Sequence, residues 1–174
     1  MGALLIYGMS SQNYLEIISH SPGETRAVGE QMGRLAQTGD TYLLVGGLGA
    51  GKTCLTQGIA RGLGVEEPYV ASPSFVLVRE MRGRLTLYHI DLYRLNRIEE
   101  IADLGLDDYL YGDGVCTVEW AERGMAVLPQ EHLLVEITYL SDNERGLYLR
   151  PVGERYVRMV AELRVSVESG GVFC

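Results

Sequence analysis

The spacing of apolar and polar positions changes period several times along the chain. Residues 13–19 read as a short strand. Over 21–37 the apolar residues Val28, Met32, Leu35 and Ala36 recur at helical spacing. Ser21 suits the N-cap, Pro22 the first helical position, and Glu24 stands three residues after the cap. Gly39-Asp40 closes this helix with a turn. Tyr42-Leu43-Leu44-Val45 is a continuous apolar run, the pattern of a strand buried on both faces. A glycine-rich segment follows, and then a helix over 52–63 that Gly64 ends. Two strands, 75–81 and 85–91, flank a turn at Arg82-Gly83-Arg84. A short helix is predicted over 98–104, a buried strand over 115–120, strands over 133–139 and 147–150, and a closing helix over 154–163. Strands alternating with helices give an α/β class: a mixed, mostly parallel sheet flanked by helices, with antiparallel strands in the hairpin-like region.

Composition limits the function classes. The chain has 174 residues, 47% hydrophobic and 22% charged, which suits one globular domain. No apolar run approaches the roughly 20 residues that span a bilayer. Residues 1–12 are apolar in part but lack a cationic lead-in, so they read as an N-terminal extension rather than a signal peptide, and a cytoplasmic location is expected. The domain is assigned to 1–165, and 166–174, with Gly170-Gly171, to a disordered tail. Cys54, Cys116 and Cys174 form neither a disulfide framework nor a metal-ligand spacing. The first two read as packing residues and Cys174 as a frayed, reactive end. A net charge of −8, with no cluster of arginines, argues that any nucleic-acid role runs through partners.

Gly46-Gly47-Leu48-Gly49-Ala50-Gly51-Lys52-Thr53 fits G-x-x-x-x-G-K-[ST] between a strand and a helix, the context the motif requires. Glycines let backbone N–H groups curl around an anion, and the helix N-terminus adds partial positive charge. Lys52 is suited to the β- and γ-phosphates of a nucleoside triphosphate and the Thr53 hydroxyl to Mg²⁺. With 22 Gly, one Lys and 17 Ser plus Thr in the chain, chance predicts roughly 0.0015 such matches, so a ligand-free glycine turn is a poor explanation. Lys52 is the only lysine beside 14 arginines, placed where a compact ammonium suits a tight phosphate site. Its commitment there excludes the Asn-Lys-x-Asp motif of guanine-specific GTPases and favours ATP. The fold is therefore expected to be that of a P-loop NTPase-like domain.

Such a loop needs an acid at the end of a neighbouring strand. Asp91 ends one apolar stretch and Glu119 another, so one is expected to hold the metal shell and the other to position or activate water. Solvation of a strand end explains one such acid less well when two accompany a phosphate loop. Trp120 is the only tryptophan, as consistent with packing or a partner as with a nucleotide. His89 shares a strand face with Asp91, and a core histidine is its favoured reading. The acidic residues Glu99, Glu100, Asp103, Asp107 and Asp108 read as a solvated face by default, with a partner-docking surface as the sharper reading.

Together these motifs resemble the TsaE family, bacterial P-loop ATPases of tRNA threonylcarbamoyladenosine (t6A) synthesis. The loop is similar to the family's G-x-L-G-A-G-K-T. Ser72-Pro73-Ser74-Phe75 is similar to its S-P-T-[FY], and His89-Ile90-Asp91-Leu92-Tyr93-Arg94-Leu95 to its H-x-D-L-Y-R-L. Gly105-Leu106-Asp107-Asp108-Tyr109 and Val118-Glu119-Trp120-Ala121-Glu122 match two later signatures, and Ser21 with Thr25 the opening S-x-x-x-T. The likeness covers about 13–150. It implies that Thr53, Asp91 and Glu119 serve Mg²⁺ and hydrolysis, with Lys52 on the phosphates. Cys54, Trp120 and Thr25, the last near the base, would also adjoin the nucleotide, and 72–75 would form a switch-like loop sensing the γ-phosphate through Ser74. It further implies action on a TsaB–TsaD heterodimer, with tRNA reached only through that complex and no membrane contact. Two positions depart from the family: Ser74 stands where threonine is usual, and Gly47 where Asp or Asn is common. The alternatives are a small-molecule kinase, for which no long Arg-bearing lid is evident around Arg94 and Arg97, and a non-enzymatic nucleotide-sensing module.

Overall fold

The computed structural model describes residues 14–66, 70–73 and 77–170. The extension 1–12, Asn13, Ser74, Phe75 and Cys174 lie outside them. Seven strands form one sheet: β1 (Leu15–Ser19), β2 (Thr41–Val45), β3 (Val78–Met81), β4 (Leu87–Asp91), β5 (Val115–Glu119), β6 (His132–Tyr139) and β7 (Arg145–Val152). Their order is β1-β7-β6-β2-β5-β4-β3. The four central strands β6, β2, β5 and β4 run parallel. The pairs β1–β7, β6–β7 and β3–β4 are antiparallel. The expected mixed, mostly parallel sheet with flanking helices is therefore what the chain forms.

The strand patterns follow from position. All five residues of β5 are buried, as are the first four of β2, because both strands lie in the middle of the sheet with helices over each face. Edge strand β1 instead alternates buried and half-buried residues. One face packs α1 (Pro22–Leu35), α2 (Lys52–Gly62) and α5 (Glu154–Glu168) into a core that includes Val28, Leu55, Ile59, Met159 and Leu163. The other carries α3 (Ile98–Ala102) and α4 (Asp107–Leu110), whose Ile101 and Leu110 join Leu43, Ile90 and Val118.

Helix α1 starts as its sequence prescribes. Ser21 accepts a bond from the Glu24 amide at 3.1 Å, and Pro22 occupies the first turn. It then lies against α2 through glycines on both helices. A Cβ on Gly58 would sit 2.1 Å from the Arg26 carbonyl oxygen, and one on Gly33 2.3 Å from that of Ile59. Helix backbones this close leave no space for a methyl group, so α1 fixes the position of α2, whose first residues belong to the phosphate loop.

Several features differ from the predicted elements. Helix α5 continues through Ser166 to Glu168, so the tail assignment is corrected there: Val167 extends the buried stripe of Tyr156, Met159, Val160 and Leu163. Strand β7 runs from Arg145 rather than 147, because it pairs with β6 along its whole length. The acidic stretch contains the short helix α4, which buries Leu110 while its charges face out.

Candidate functional site

The glycine-rich loop leaves β2 and opens α2. Gly51 is the N-cap of α2 at φ 113°, a left-handed conformation that glycine adopts without strain, and no side chain caps the helix. Gly46 has φ 150°, and a Cβ there would lie 2.4 Å from the Ile137 carbonyl oxygen, so both conformation and space require glycine. Gly47 faces open space, so a larger side chain has room at this position. Arg145 donates to the Ala50 carbonyl at 3.0 Å and reaches that of Gly49 at 3.5 Å, tying the loop to the start of β7.

Lys52 is 96% buried at the first turn of α2, being 4% exposed. Its ammonium donates to the carbonyls of Gly46 at 2.6 Å and Gly47 at 2.8 Å, and lies 3.8 Å from the centre of the Trp120 ring. Burial pulls its pKa down, opposed by the nearby charges of Glu119, Glu122 and Asp91. Among the described residues it forms no ion pair.

The two predicted acids meet at the carboxyl ends of neighbouring parallel strands, with Asp91 directly opposite Glu119. Glu119 in turn stands opposite Leu44, two residues before the loop begins. The Thr53 hydroxyl donates to both Glu119 oxygens, at 2.9 and 3.1 Å. The ring Nε2 of His89 lies 2.7 Å from Glu119 Oε1. Asp91 accepts from the Ser72 hydroxyl and, at 2.8 Å, from the Tyr93 amide. Trp120 turns the chain in a left-handed conformation at φ 58°. Its ring packs against Tyr93 at 4.9 Å, and the Arg123 guanidinium lies 5.5 Å from both rings.

These side chains line a cleft of about 420 Å³. Leu48, Gly49, Gly51, Lys52, Thr53, Cys54, Asp91, Glu119 and Trp120, all expected near a nucleotide, line this cleft. Gly46, Gly47 and Ala50 instead line an adjoining recess of about 520 Å³ on the other side of the loop. Thr25 lines neither; it is buried on α1 with its hydroxyl 2.6 Å from that of Ser19. Ser74 lies outside the described residues. Cys54 is half-buried, its thiol donating to the Pro22 carbonyl at 3.3 Å, and burial raises its pKa. Cys116 is buried as expected, with its pKa pushed up to about 12.

Sequence reasoning gave no site role to Tyr93, Arg94 or Arg145, and favoured a merely packed His89. Tyr93 and Arg94 follow Asp91 after a single intervening leucine and line the cleft, so closeness to a candidate acid was their signal. Arg145 had none, since nothing local ties it to a loop 95 residues earlier.

The donor set suits a hard cation. Thr53, Asp91 and Glu119 offer only oxygen, the ligand type Mg²⁺ takes. Among the described residues no group of three or more His, Cys, Asp or Glu gathers as a self-sufficient metal site. A site completed by phosphate oxygens and water has no such need. Among the described residues no helix is long and apolar enough to cross a membrane.

Residues 19–147 match the family described as "Threonylcarbamoyl adenosine biosynthesis protein TsaE". The tRNA threonylcarbamoyladenosine biosynthesis protein TsaE of Bacillus subtilis is 44% identical over 144 residues, 82% of this chain and 89% of its own. Its counterpart in Treponema pallidum is 41% identical over 133 residues, 76% of this chain and 98% of its own. The crystal structure of Bacillus subtilis YdiB superposes with a TM-score of 0.78 at 38% identity, covering 92% of this chain and 99% of that one.

Proposed function

Since the chain belongs to the TsaE family of tRNA threonylcarbamoyladenosine biosynthesis proteins, we propose that it binds and hydrolyses Mg²⁺·ATP as the nucleotide-driven subunit of t6A modification, acting on a TsaB–TsaD complex. The observation that carries this reading is the convergence of the loop with Thr53, Asp91 and Glu119 in one cleft at the carboxyl ends of β2, β4 and β5.

The chemistry follows from the side chains. Lys52 is held by two neutral carbonyls and a ring face, so a phosphate oxygen can take its ammonium without breaking an ion pair. The uncapped N-terminus of α2 offers backbone N–H groups to the same phosphates. Thr53 and Asp91 would hold Mg²⁺, which when bound neutralises charge on the phosphate oxygens. Glu119 is an acid with one oxygen engaged by His89, and it would orient the attacking water and accept its proton. Trp120 and Tyr93 wall the cleft and limit access of bulk water.

Phosphate release from ATP, measured with and without purified TsaB–TsaD from the same source, tests the proposal. Marked stimulation by the heterodimer that Glu119→Ala abolishes is the expected result. A folded, ATP-bound protein that no heterodimer stimulates would contradict it.

A further inference from the structure

His89 is fully buried, and Glu119 is the only hydrogen-bonding group its ring reaches among the described residues. Its Nδ1 is buried without a partner, as is the hydroxyl of Thr117 directly across from it on β5. Burying a polar ring atom unpaired costs free energy, and this ring ties down no turn, cap or helix end in return. By contrast His132 bonds the Pro129 carbonyl at 2.8 Å and steadies the turn before β6. What His89 does secure is one oxygen of a carboxylate in the cleft.

Strand geometry makes the reach specific. His89 and Asp91 point to the same sheet face, and Thr117 and Glu119 to that face of β5. With Asp91 opposite Glu119, the His89 ring extends diagonally toward the cleft to meet Glu119 Oε1 at 2.7 Å. An ionised carboxylate only accepts, so the proton of this bond sits on Nε2. Thr53 is shared between both oxygens at 2.9 and 3.1 Å, whereas His89 bonds Oε1 alone.

We propose that His89 is a positioning residue, fixing Glu119 Oε1 so that Oε2 faces the reacting water. The inference rests on the hydrolysis reading above. It also explains how Glu119 keeps its orientation when the Thr53 hydroxyl turns to other partners.

Two substitutions separate this from packing. His89→Leu removes the donor at similar volume, and His89→Gln restores an N–H within reach of Oε1. ATP affinity, followed by Trp120 fluorescence, is expected to stay within about twofold in both variants, because His89 is too deep to touch the nucleotide. The turnover number, measured under the conditions that maximise wild-type turnover, should fall 10- to 100-fold in His89→Leu. It should recover largely in His89→Gln. In a Glu119→Ala background His89→Leu should cause no further fall. Unchanged turnover in His89→Leu, or ATP affinity lost in step with it, would overturn the proposal.

Imidazole ¹⁵N NMR covers the case in which His89→Leu does not fold. The wild-type spectrum should show the His89 proton on Nε2 and a resonance that moves in Glu119→Gln; a proton on Nδ1 would overturn the proposal. If the wild type itself never hydrolyses ATP, the hydrolysis reading fails instead, and the NMR result still reports on the His89–Glu119 bond.

Discussion

Asp40, just before β2, and Lys52, just after the loop that leaves it, are 3% and 4% exposed, yet their surroundings differ. Asp40 receives the Arg155 guanidinium on both oxygens at 3.1 and 2.7 Å, the Gln37 amide at 2.9 Å and the Tyr42 hydroxyl at 3.3 Å. The adjacent Tyr156 hydroxyl accepts the Thr41 amide at 2.8 Å. Lys52 has two carbonyls and an aromatic face, and Glu119 has a shared hydroxyl and one ring nitrogen. The amino end of the parallel strands thus buries a charge with its full complement of partners, which fixes α5 against the sheet. The carboxyl end instead buries Lys52 against carbonyls and a ring face, and Glu119 against a hydroxyl and an imidazole, with no guanidinium clamped on either. The first arrangement serves stability, and under the proposed function the second leaves binding energy for a ligand.

The comparison predicts that substitutions at the two ends fail in different assays. The largest effect belongs to Glu119→Ala, expected to lower ATP turnover about 1000-fold, some 4 kcal/mol on the barrier, against a smaller loss of about 1–2 kcal/mol in unfolding free energy from the stranded His89 ring. Phosphate release and thermal melting measure the two sides, and a large loss of stability would assign Glu119 a structural role. Next, Asp40→Ala strands the Arg155 guanidinium and should destabilise the fold by about 3–4 kcal/mol in urea unfolding, while ATP affinity of the folded protein is kept. Gly58→Ala acts between the ends: a methyl group forced against the Arg26 carbonyl should cost about 2 kcal/mol of stability and weaken ATP binding as α2 shifts. Stability unchanged in Gly58→Ala would show that the helix contact can open. The smallest effect is that of Asp91→Asn, expected to raise the Mg²⁺ concentration for half-maximal turnover roughly tenfold. An unchanged Mg²⁺ titration would remove Asp91 from the metal shell.

Much of this was legible in the sequence because the signals are local. Tyr42 to Val45 and the run ending in Glu119 read as buried strands, since central strands keep apolar residues on both faces. Ser21, Pro22 and Glu24 marked the start of α1 at its observed cap. The loop placed Lys52 and Thr53, and strand ends placed Asp91 and Glu119. What escaped depends on register and packing. That Asp91 stands opposite Glu119, and that His89 reaches Glu119, follow from the pairing of β4 with β5, which no local pattern encodes. Arg145 reaches the loop only because β7 folds back beside β6. The end of α5 was readable: Val167 continues the apolar stripe, but the glycines after it drew the boundary too early. Thr25, expected near the base, spends its hydroxyl on Ser19.

The central claim is that the cleft around Lys52 is an ATP site, and equilibrium binding tests it most directly. Trp120, the only tryptophan, lies 3.8 Å from the Lys52 ammonium and supplies the signal. Titration with Mg²⁺·ATP should give a saturable fluorescence change, and Lys52→Ala should weaken the affinity about 100-fold with the fold intact. Equal affinity in the two proteins, or no binding by the wild type, would contradict the account.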